Sequence, residues 1–411
     1  MIMKMNFDMF LSCVLFVCAT ALSSCSDPVS ISGNYIHDDI TIPNINGDGI
    51  THNIPKESYD VAEVIPLKIP ADCFVSKTTP IFCKSRIYLL DSSRTSVLVF
   101  DSAGNFIHKV GKKGHAKSEL IDEITSYDVD SADLSVHLYD REGQKILIFD
   151  SNGKYSRTVR LRDIFPSSVK LLNNGNYIAS CYIGSTSEGY TKLLRINKDG
   201  VNEVVFEDRK TNNLTFEGFN TQPLSSNQRG DVSYLSMLSD SVIVISGDSV
   251  REVIRVSFDD KFLSEEEILK AKECGVLSEE SDDKIRYIRS AYVTDSIINI
   301  EFLGKSNNRV STYNYLYNRV SEKSYYVRGI ISFENLLGQF YGVHNGEMVV
   351  LATEDDVEHL KMAFDIMSQQ SGQNCPYRTF LDFCEESFND ISMDVLSKGQ
   401  IPTIFKVKLK W

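Results

Sequence analysis

Along this chain short apolar runs alternate with polar breaks, and one stretch of that pattern is written twice. With a shift of 49 residues, Arg86-Ile87-Tyr88-Leu89-Leu90-Asp91 falls on Ser135-Val136-His137-Leu138-Tyr139-Asp140. Without a gap, Val97-Leu98-Val99-Phe100-Asp101-Ser102-Ala103-Gly104 then meets Ile146-Leu147-Ile148-Phe149-Asp150-Ser151-Asn152-Gly153. Each copy has an apolar strand, a polar connection, a second apolar strand, a tight glycine turn and a third strand. A repeat of this size predicts one blade of a β-propeller, an all-β ring assembled from copies.

Weaker copies follow. Asn174–Ala179 with Leu193–Gly200 is a third, its turn glycine 47 residues after Gly153. Asp240–Ile245 with Val250–Val256, Ser296–Phe302 with Thr312–Tyr317, and Gly338–Val343 with Glu347–Leu351 suggest a fourth, fifth and sixth. Two segments break the strand rhythm. Ser264-Glu265-Glu266-Glu267 is a capping box that opens a short helix, which Gly275 could close, placing a helical insertion near 262–282. Val357, Leu360, Phe364 and Met367, then Leu381, Cys384 and Phe388, recur at helical spacing and predict a second insertion over 354–399. The remaining chain holds about six repeat lengths. The predicted fold over 59–411 is therefore an all-β, six-bladed β-propeller with short helical insertions. At the end of the chain Phe405, Val407, Leu409 and Trp411 alternate with Lys406, Lys408 and Lys410. This period-two strand has one wet, cationic face, and it is placed to complete a blade with the first strand, near Val64–Ile69. Such closure leaves no long exposed edge.

The N-terminus carries an address. Lys4 precedes an apolar stretch from Met9 to Leu22, and Leu22-Ser23-Ser24-Cys25 follows. A charged start, an apolar run of this length and small residues before a cut make an export signal. The cysteine at the cut resembles a bacterial lipobox. That resemblance implies a lipoprotein signal peptide over 1–24, cleavage before Cys25 and a diacylglyceryl group on Cys25, so that the membrane becomes a partner through the lipid. Ser26 rather than Asp follows, which under the enterobacterial sorting rule implies the outer membrane, with the body facing the periplasm or the outside. Residues 25–58, rich in Asn, Asp, Gly, Pro and Ser, predict a flexible tether. Within it Asn44-Ile45-Asn46-Gly47-Asp48-Gly49 partly mimics a calcium loop, but the twelfth position, which needs a bidentate Glu, is Pro55. No later stretch approaches the ~20 apolar residues of a membrane-spanning helix.

Composition narrows the chemistry. The net charge is −13, and Lys4 and Asp8 cancel within the signal, so the exported body is acidic. Without basic clusters it argues against nucleic acid and against peripheral binding to anionic lipid. Of nine cysteines, Cys13 and Cys18 leave with the signal and Cys25 takes the lipid. Cys73, Cys83, Cys181, Cys274, Cys375 and Cys384 remain where disulfides are permitted. Cys73 with Cys83, and Cys375 with Cys384, are near enough to pair, and isolated buried thiols are equally open. None forms a Cys-x-x-Cys pair. No P-loop, His-Glu-x-x-His or Gly-x-Ser-x-Gly pattern occurs. The histidines (37, 52, 108, 115, 137, 344 and 359) offer no pair at ligand spacing. Asp128, Asp130 and Asp133 cluster ahead of Ser135 and are assigned to a polar inter-strand turn rather than a calcium site. The 19 Tyr and 22 Phe against one Trp, mostly on alternating strand positions, favour packing between blades over a sugar-stacking platform.

Phe100-Asp101-Ser102-Ala103-Gly104-Asn105-Phe106-Ile107 runs into Gly111-Lys112-Lys113-Gly114-His115-Ala116-Lys117-Ser118-Glu119-Leu120. This resembles the NHL-like six-bladed propellers that Bacteroidetes export as lipoproteins, in which a blade ending F-D-x-x-G-x-F-I leads into a G-x-x-G-x-G-P-G-E-[FY] loop. Gly111, Gly114 and Glu119 fit, whereas Ala116-Lys117-Ser118 stand where Gly-Pro-Gly is usual. The resemblance covers the chain from about residue 60 onward and implies fold and address. For the loop itself a blade-to-blade turn with positive-φ glycines is expected, not a phosphate or metal cradle. Two function classes stay open. One is a binding or scaffold module for a protein, peptide or glycan, with no cofactor, metal or catalytic residue assigned. The alternative is a metal-dependent lactonase- or lyase-like enzyme, whose Glu, Asp, Asn or His ligands come from several blades and escape sequence spacing.

Overall fold

The duplicated runs are apolar at nearly every interior position because each sheet is packed on both faces. Tyr88 and Leu90 point towards Val136, Leu138 and Leu147 of the following sheet, while Ile87 and Leu89 point back towards Val349, Leu351 and Ile404. A computed structural model describes residues 35–42, 50–161, 164–183, 190–208, 223–235, 240–258, 264, 266–267, 285–306, 309–371, 376–377 and 379–411. Among these residues the strands form six antiparallel four-stranded sheets, two of them carrying an added strand.

From the axis outward, blade 1 is Ile81–Cys83, Arg86–Leu90, Val97–Asp101 and Phe106–Val110. Blade 2 is Ile124–Val129, Val136–Asp140, Lys145–Phe149 and Tyr155–Arg160, and blade 3 is Pro166–Leu171, Tyr177–Ile183, Tyr190–Ile196 and Asn202–Asp208. Blade 4 is Leu224–Ser226, Val232–Leu235, Ser241–Ser246 and Ser249–Ser257; blade 5 is Ile285–Val293, Ile297–Ser306, Arg309–Asn318 and Ser324–Arg328. Blade 6 is Gln339–His344, Glu347–Ala352 and Thr403–Leu409, completed on the outside by Tyr59–Pro66. The six-bladed propeller expected from the repeat is therefore the fold. In the two matched copies the three legible strands are the second, third and fourth of a blade, whereas in the sixth copy Gly338–Val343 is the innermost strand itself.

The terminal strand closes the ring. Phe405 pairs with Val64 and Thr403 with Pro66, antiparallel, while Phe405 also faces Val350 on the other side. The last strand of the chain thus joins the first strand of the ring to a blade built from residues nearly 300 positions later, which removes two open edges at once. The repeated turn has an equally local cause. Asp101 Oδ1 accepts N–H bonds from Ala103 (2.9 Å) and Asn105 (2.8 Å), and Asp150 does the same for Asn152 and Lys154, both at 2.9 Å. Asn197 repeats it with Asp199 and Val201. The Asp/Asn side chain copies a backbone turn, and the glycine three residues on takes the positive φ.

The tether assignment needs correction. Ile36–Thr41 adds to blade 4 as a parallel strand beside Ser249–Ser257, and Ile50–Thr51 adds likewise beside Ser324–Arg328 of blade 5. Ile40, Ile42 and Ile54 are buried. Composition hid these strands because only a few apolar residues, widely spaced among polar ones, face the ring. Arg319 pins the first of them, bonding both Asp38 (3.0 Å) and Glu252. Residues 1–34, with Cys25, and 43–49 of the calcium-like loop lie outside the described residues.

The segment from Glu354 to Ser397 carries helices Glu354–Ser371, Phe380–Ser387 and Asp390–Ser397. Thr379 opens the second with a capping box to Asp382, and Asn389 caps the third through Ser392 N–H. Of the insertion near 262–282 only Ser264 and Glu266–Glu267 are described. There Glu267 accepts from Ser264 N–H at 2.8 Å and returns its own N–H to Ser264 Oγ at 3.3 Å, which is the expected cap. Among the described residues no helix is long and apolar enough to cross a membrane. The aromatics are largely core: Phe302 packs on Phe258 (5.0 Å between ring centroids) and Tyr313 (5.7 Å), and Trp411 on Tyr325 (5.3 Å).

Candidate functional site: the axial cavity

The six innermost strands surround a cavity of about 600 Å³. Its wall takes side chains from every blade, among them Phe82, Ser126, Lys170, Ser225, Tyr292 and Phe340. Four of these strands are bulged, with register shifts at Ile124/Ser126, Pro166/Ser168, Ile288/Ser290 and Phe340/Gly342. A bulge re-aims side chains, and one recurs in four of the six inner strands.

Most inner-strand polar groups are spent on the neighbouring blade. Tyr127 OH donates to Thr79 O (3.1 Å) and Tyr88 O (3.2 Å), joining blades 2 and 1. Ser126 Oγ donates to Val169 O (2.7 Å), joining blades 2 and 3. Ser225 Oγ donates to Ala291 O, and Asn227 Nδ2 to Val293 O (3.0 Å), joining blades 4 and 5. Tyr292 OH donates to Val343 O (3.3 Å), joining blades 5 and 6. Side chains thus occupy carbonyls on the exposed edges of the inner strands, which would otherwise stand unpaired at the axis.

Two carboxylates on the wall show how charge is handled. Asp128 is buried, and its Oδ2 accepts Leu171 N–H (2.9 Å) while Oδ1 receives Ser226 Oγ (3.2 Å) and lies 3.5 Å from Lys170 Nζ. Burial raises the Asp128 carboxyl above its usual range, against the lowering pull of Lys170 and those hydrogen bonds. Glu301, on blade 5, is held by Arg289 (3.0 Å) and Ser290 Oγ (2.9 Å). The carboxylates therefore come from opposite parts of the ring and each is bound to its own cation. Among the described residues no three His, Cys, Asp or Glu side chains are grouped as metal ligands. In the turn between the first two strands of blade 4, Gln228 reaches across to His344 and to Asn345 N–H (3.2 Å) in the matching turn of blade 6. His344 stacks on Phe82 of the adjoining blade 1 (4.4 Å), so parts of blades 4, 6 and 1 meet there.

The acidic trio does not form a site. Asp128 lies on the innermost strand of blade 2, not in a turn, which corrects the sequence assignment. Asp130 and Asp133 do lie in the turn, accepting N–H bonds from Ala132 and Ser135 (both 2.8 Å). The loop after blade 1 is a blade-to-blade connection: Gly111 has φ +89°, and a Cβ there would stand 2.6 Å from Leu138 Cδ1. Glu119 caps that loop, receiving Ala116 N–H (2.9 Å) and pairing with Lys112 (2.7 Å). Cys73, Cys83, Cys181 and Cys384 are buried free thiols, so Cys73 and Cys83 are not paired; Cys274 and Cys375 lie outside the described residues.

His137, beside the cavity wall, is buried between Ser135 Oγ and Tyr177 OH, each 2.8 Å from a ring nitrogen. Burial depresses its pKa to about 4, against the raising pull of Asp130 and Asp133. Because the folded value lies below the unfolded ~6.5, its stabilisation is complete above pH 6.5 and is lost as pH falls towards 4. The expected loss reaches up to about 2 kcal/mol by pH 5. His344, also depressed to about 4, adds in the same direction, while the raised Asp128 carboxyl opposes it. Urea unfolding of His137→Gln at pH 7 and pH 5 checks this; a slope equal to that of the parent would remove His137 as a source.

The comparisons with known proteins agree with this architecture. No curated protein matches the chain. A Bacteroides fragilis protein named as exported on prediction shares 17% identity, covering 91% of this chain and 100% of its own, with a TM-score of 0.63. A DUF4221-family member from Bacteroides vulgatus (6% identity, 86% and 98% covered, TM-score 0.47) and a Bacteroides caccae protein of unknown function (10%, 66% and 82%, TM-score 0.34) are more distant. At these identities the first shows the fold alone, and the other two carry no argument. The model of one family, described as a domain of unknown function, matches residues 56–373, from the ring's first strand through the two inner strands of blade 6 and the helix Glu354–Ser371. The chain is a six-bladed β-propeller that belongs to the DUF4934 family.

Proposed function

We propose that this propeller is an exported, lipid-anchored binding module of the NHL-like kind, and that its ligand enters the axial cavity. The observation that carries the reading is the cavity of about 600 Å³. That volume lies in the range of small-ligand sites, and residues of all six blades shape it. A metal-dependent enzyme would need grouped carboxylates on the axis, whereas Asp128 and Glu301 are engaged by Lys170 and Arg289, Asp130 accepts Ala132 N–H, and no three possible ligands are grouped among the described residues. The anchoring half of the proposal rests on Leu22-Ser23-Ser24-Cys25. With residues 36–41 and 50–51 held on blades 4 and 5, about ten residues remain between Cys25 and the ring. Fully extended they span at most ~35 Å, so the ring stays close to its membrane.

Cys25→Ala tests the address. The variant is expected to leave the membrane fraction or to keep its signal uncut; a variant that stays in membranes at the parent's mobility would defeat it. For binding, affinity capture on the detergent-solubilised chain, run beside a glycan array, is expected to return a ligand that excess soluble ring competes away. Blank results on both would sink the binding-module reading.

A further inference from the structure

Two buried side-chain oxygens on the cavity wall, the Thr78 hydroxyl and the Asn299 amide oxygen, have no hydrogen-bond partner among the described residues, and of the two only the amide oxygen can do nothing but accept. On the face of blade 5 that looks towards blade 6, Ile297 and Leu316 pack with Val343, Met348 and Val350. On the same face Asn299, Glu301 and Asn314 line the cavity instead. Asn299 and Asn314 are 8% and 5% exposed. Their amide orientations follow from one fixed point. The Gly329 carbonyl can only accept, so Asn314 turns Nδ2 towards it (2.8 Å). Asn314 Oδ1 then faces Asn299, which donates its Nδ2 at 3.1 Å. Asn299 Oδ1 is left at the end of this chain of bonds with no partner among the described residues. An unmet buried acceptor costs ~1–3 kcal/mol, so the position asks for a donor.

We infer that this cleft between blades 5 and 6 is the specificity subsite of the axial cavity, and that it takes a hydroxyl of a small, uncharged saccharide. The inference rests on the cavity being a ligand site. Three observations select the ligand class. The cationic side chains of the lining are paired, Lys170 with Asp128, Lys77 with Asp356 (3.1 Å), Arg94 with Glu123 and Arg229 with Asp295, Glu301 is held by Arg289, and Asp130 is turned to Ala132 N–H of its own turn, which disfavours a charged ligand. An extended peptide would bind by adding to the inner-strand edges, but Ser126, Ser225, Asn227 and Tyr292 already occupy carbonyls there. What remains is side-chain recognition, with the Asn299 acceptor set among Ser290, Tyr292 and the Phe340 ring. A hydroxyl suits that setting because it is an uncharged donor for Asn299, which the Ser290 and Tyr292 hydroxyls, already donating to Glu301 and Val343, do not supply.

The test is calorimetric titration of the purified, detergent-solubilised full chain with cellobiose, maltose and N,N′-diacetylchitobiose. Glucuronate, glucosamine and acetyl-tetraalanine amide serve as comparisons. At least one neutral disaccharide is expected to bind more tightly than all three comparisons, and Asn299→Leu is expected to weaken it at least tenfold without lowering the melting temperature. If that variant does not fold, a crystal of the parent soaked in the same sugar decides, with a sugar oxygen expected at hydrogen-bond distance from Asn299 Oδ1. A sugar bound elsewhere, or bound equally well by Asn299→Leu, overturns the subsite and leaves the binding module standing. Tighter binding of the peptide or of a charged sugar overturns the ligand class alone. No binding of any probe overturns this inference, while the capture experiment still judges the broader reading separately.

Discussion

Phe405→Ala is expected to lower the unfolding free energy by ~3–5 kcal/mol, the usual cost of emptying a fully buried Phe site. Phe405 is 0% exposed and sits on the strand that joins Glu347–Ala352 to Tyr59–Pro66. The cavity left behind would therefore lie at the seam where the two ends of the ring meet. Lys408→Ala on the same strand is the matched comparison, because Lys408 is exposed and surface changes usually stay within ~0.5 kcal/mol. Denaturant unfolding of both variants measures the difference. A Phe405→Ala midpoint no lower than that of Lys408→Ala would mean that the seam does not hold the ring. Removal of residues 403–411 goes further, since it deletes every hydrogen bond between the first strand and blade 6. That deletion is expected to give no cooperative unfolding transition.

Asp128→Ala is expected to cost ~2–4 kcal/mol, slightly under the figure for breaking a fully buried pair, because Lys170 keeps 18% of its side chain in solvent. The substitution strands Leu171 N–H and removes the acceptor for Ser226, so the contacts that tie blade 2 to blades 3 and 4 fail together. Asp128→Asn keeps an acceptor of the same shape and should recover at least half of the loss. Hydrogen exchange at the Leu171 amide gives a readout specific to the bond: protection falls in Asp128→Ala and is largely kept in Asp128→Asn. Equal protection in the parent and in Asp128→Ala would show that this contact is not what joins the blades.

The parts of the ring legible in the sequence share one physical property. Ile87–Leu90, Val97–Phe100 and their counterparts 49 residues on are strands buried on both faces, so every position but His137 is apolar or aromatic and the copies resemble one another. The Asp/Asn-x-x-Gly turns are equally readable, because their hydrogen bonds close within five residues. The period-two strand Phe405–Trp411 announced ring closure, since one face meets the core and the other meets water. Helices capped by Thr379 and Asn389 were marked by apolar spacing of their own.

The candidate site was not legible, for the opposite reason. Inner strands such as Leu224–Ser226 and Pro166–Leu171 face the axis with serines and a lysine, so neither period two nor an apolar run marks them. Asp128 looked like a turn residue beside Asp130 and Asp133, because its partners Leu171 and Ser226 lie 43 and 98 positions away. The strands Ile36–Thr41 and Ile50–Thr51 carry tether composition, and only the open edges of blades 4 and 5 make them strands. By itself, then, the sequence determined the blade, the number of copies and the closing strand, because burial on two faces and short-range turns write themselves into local pattern. Only the tertiary structure decided which polar residues meet on the axis, which of them staple the ring and which acceptor is left over. Those properties depend on hydrogen bonds between strands from different blades, and no local pattern of residues encodes a partner that distant.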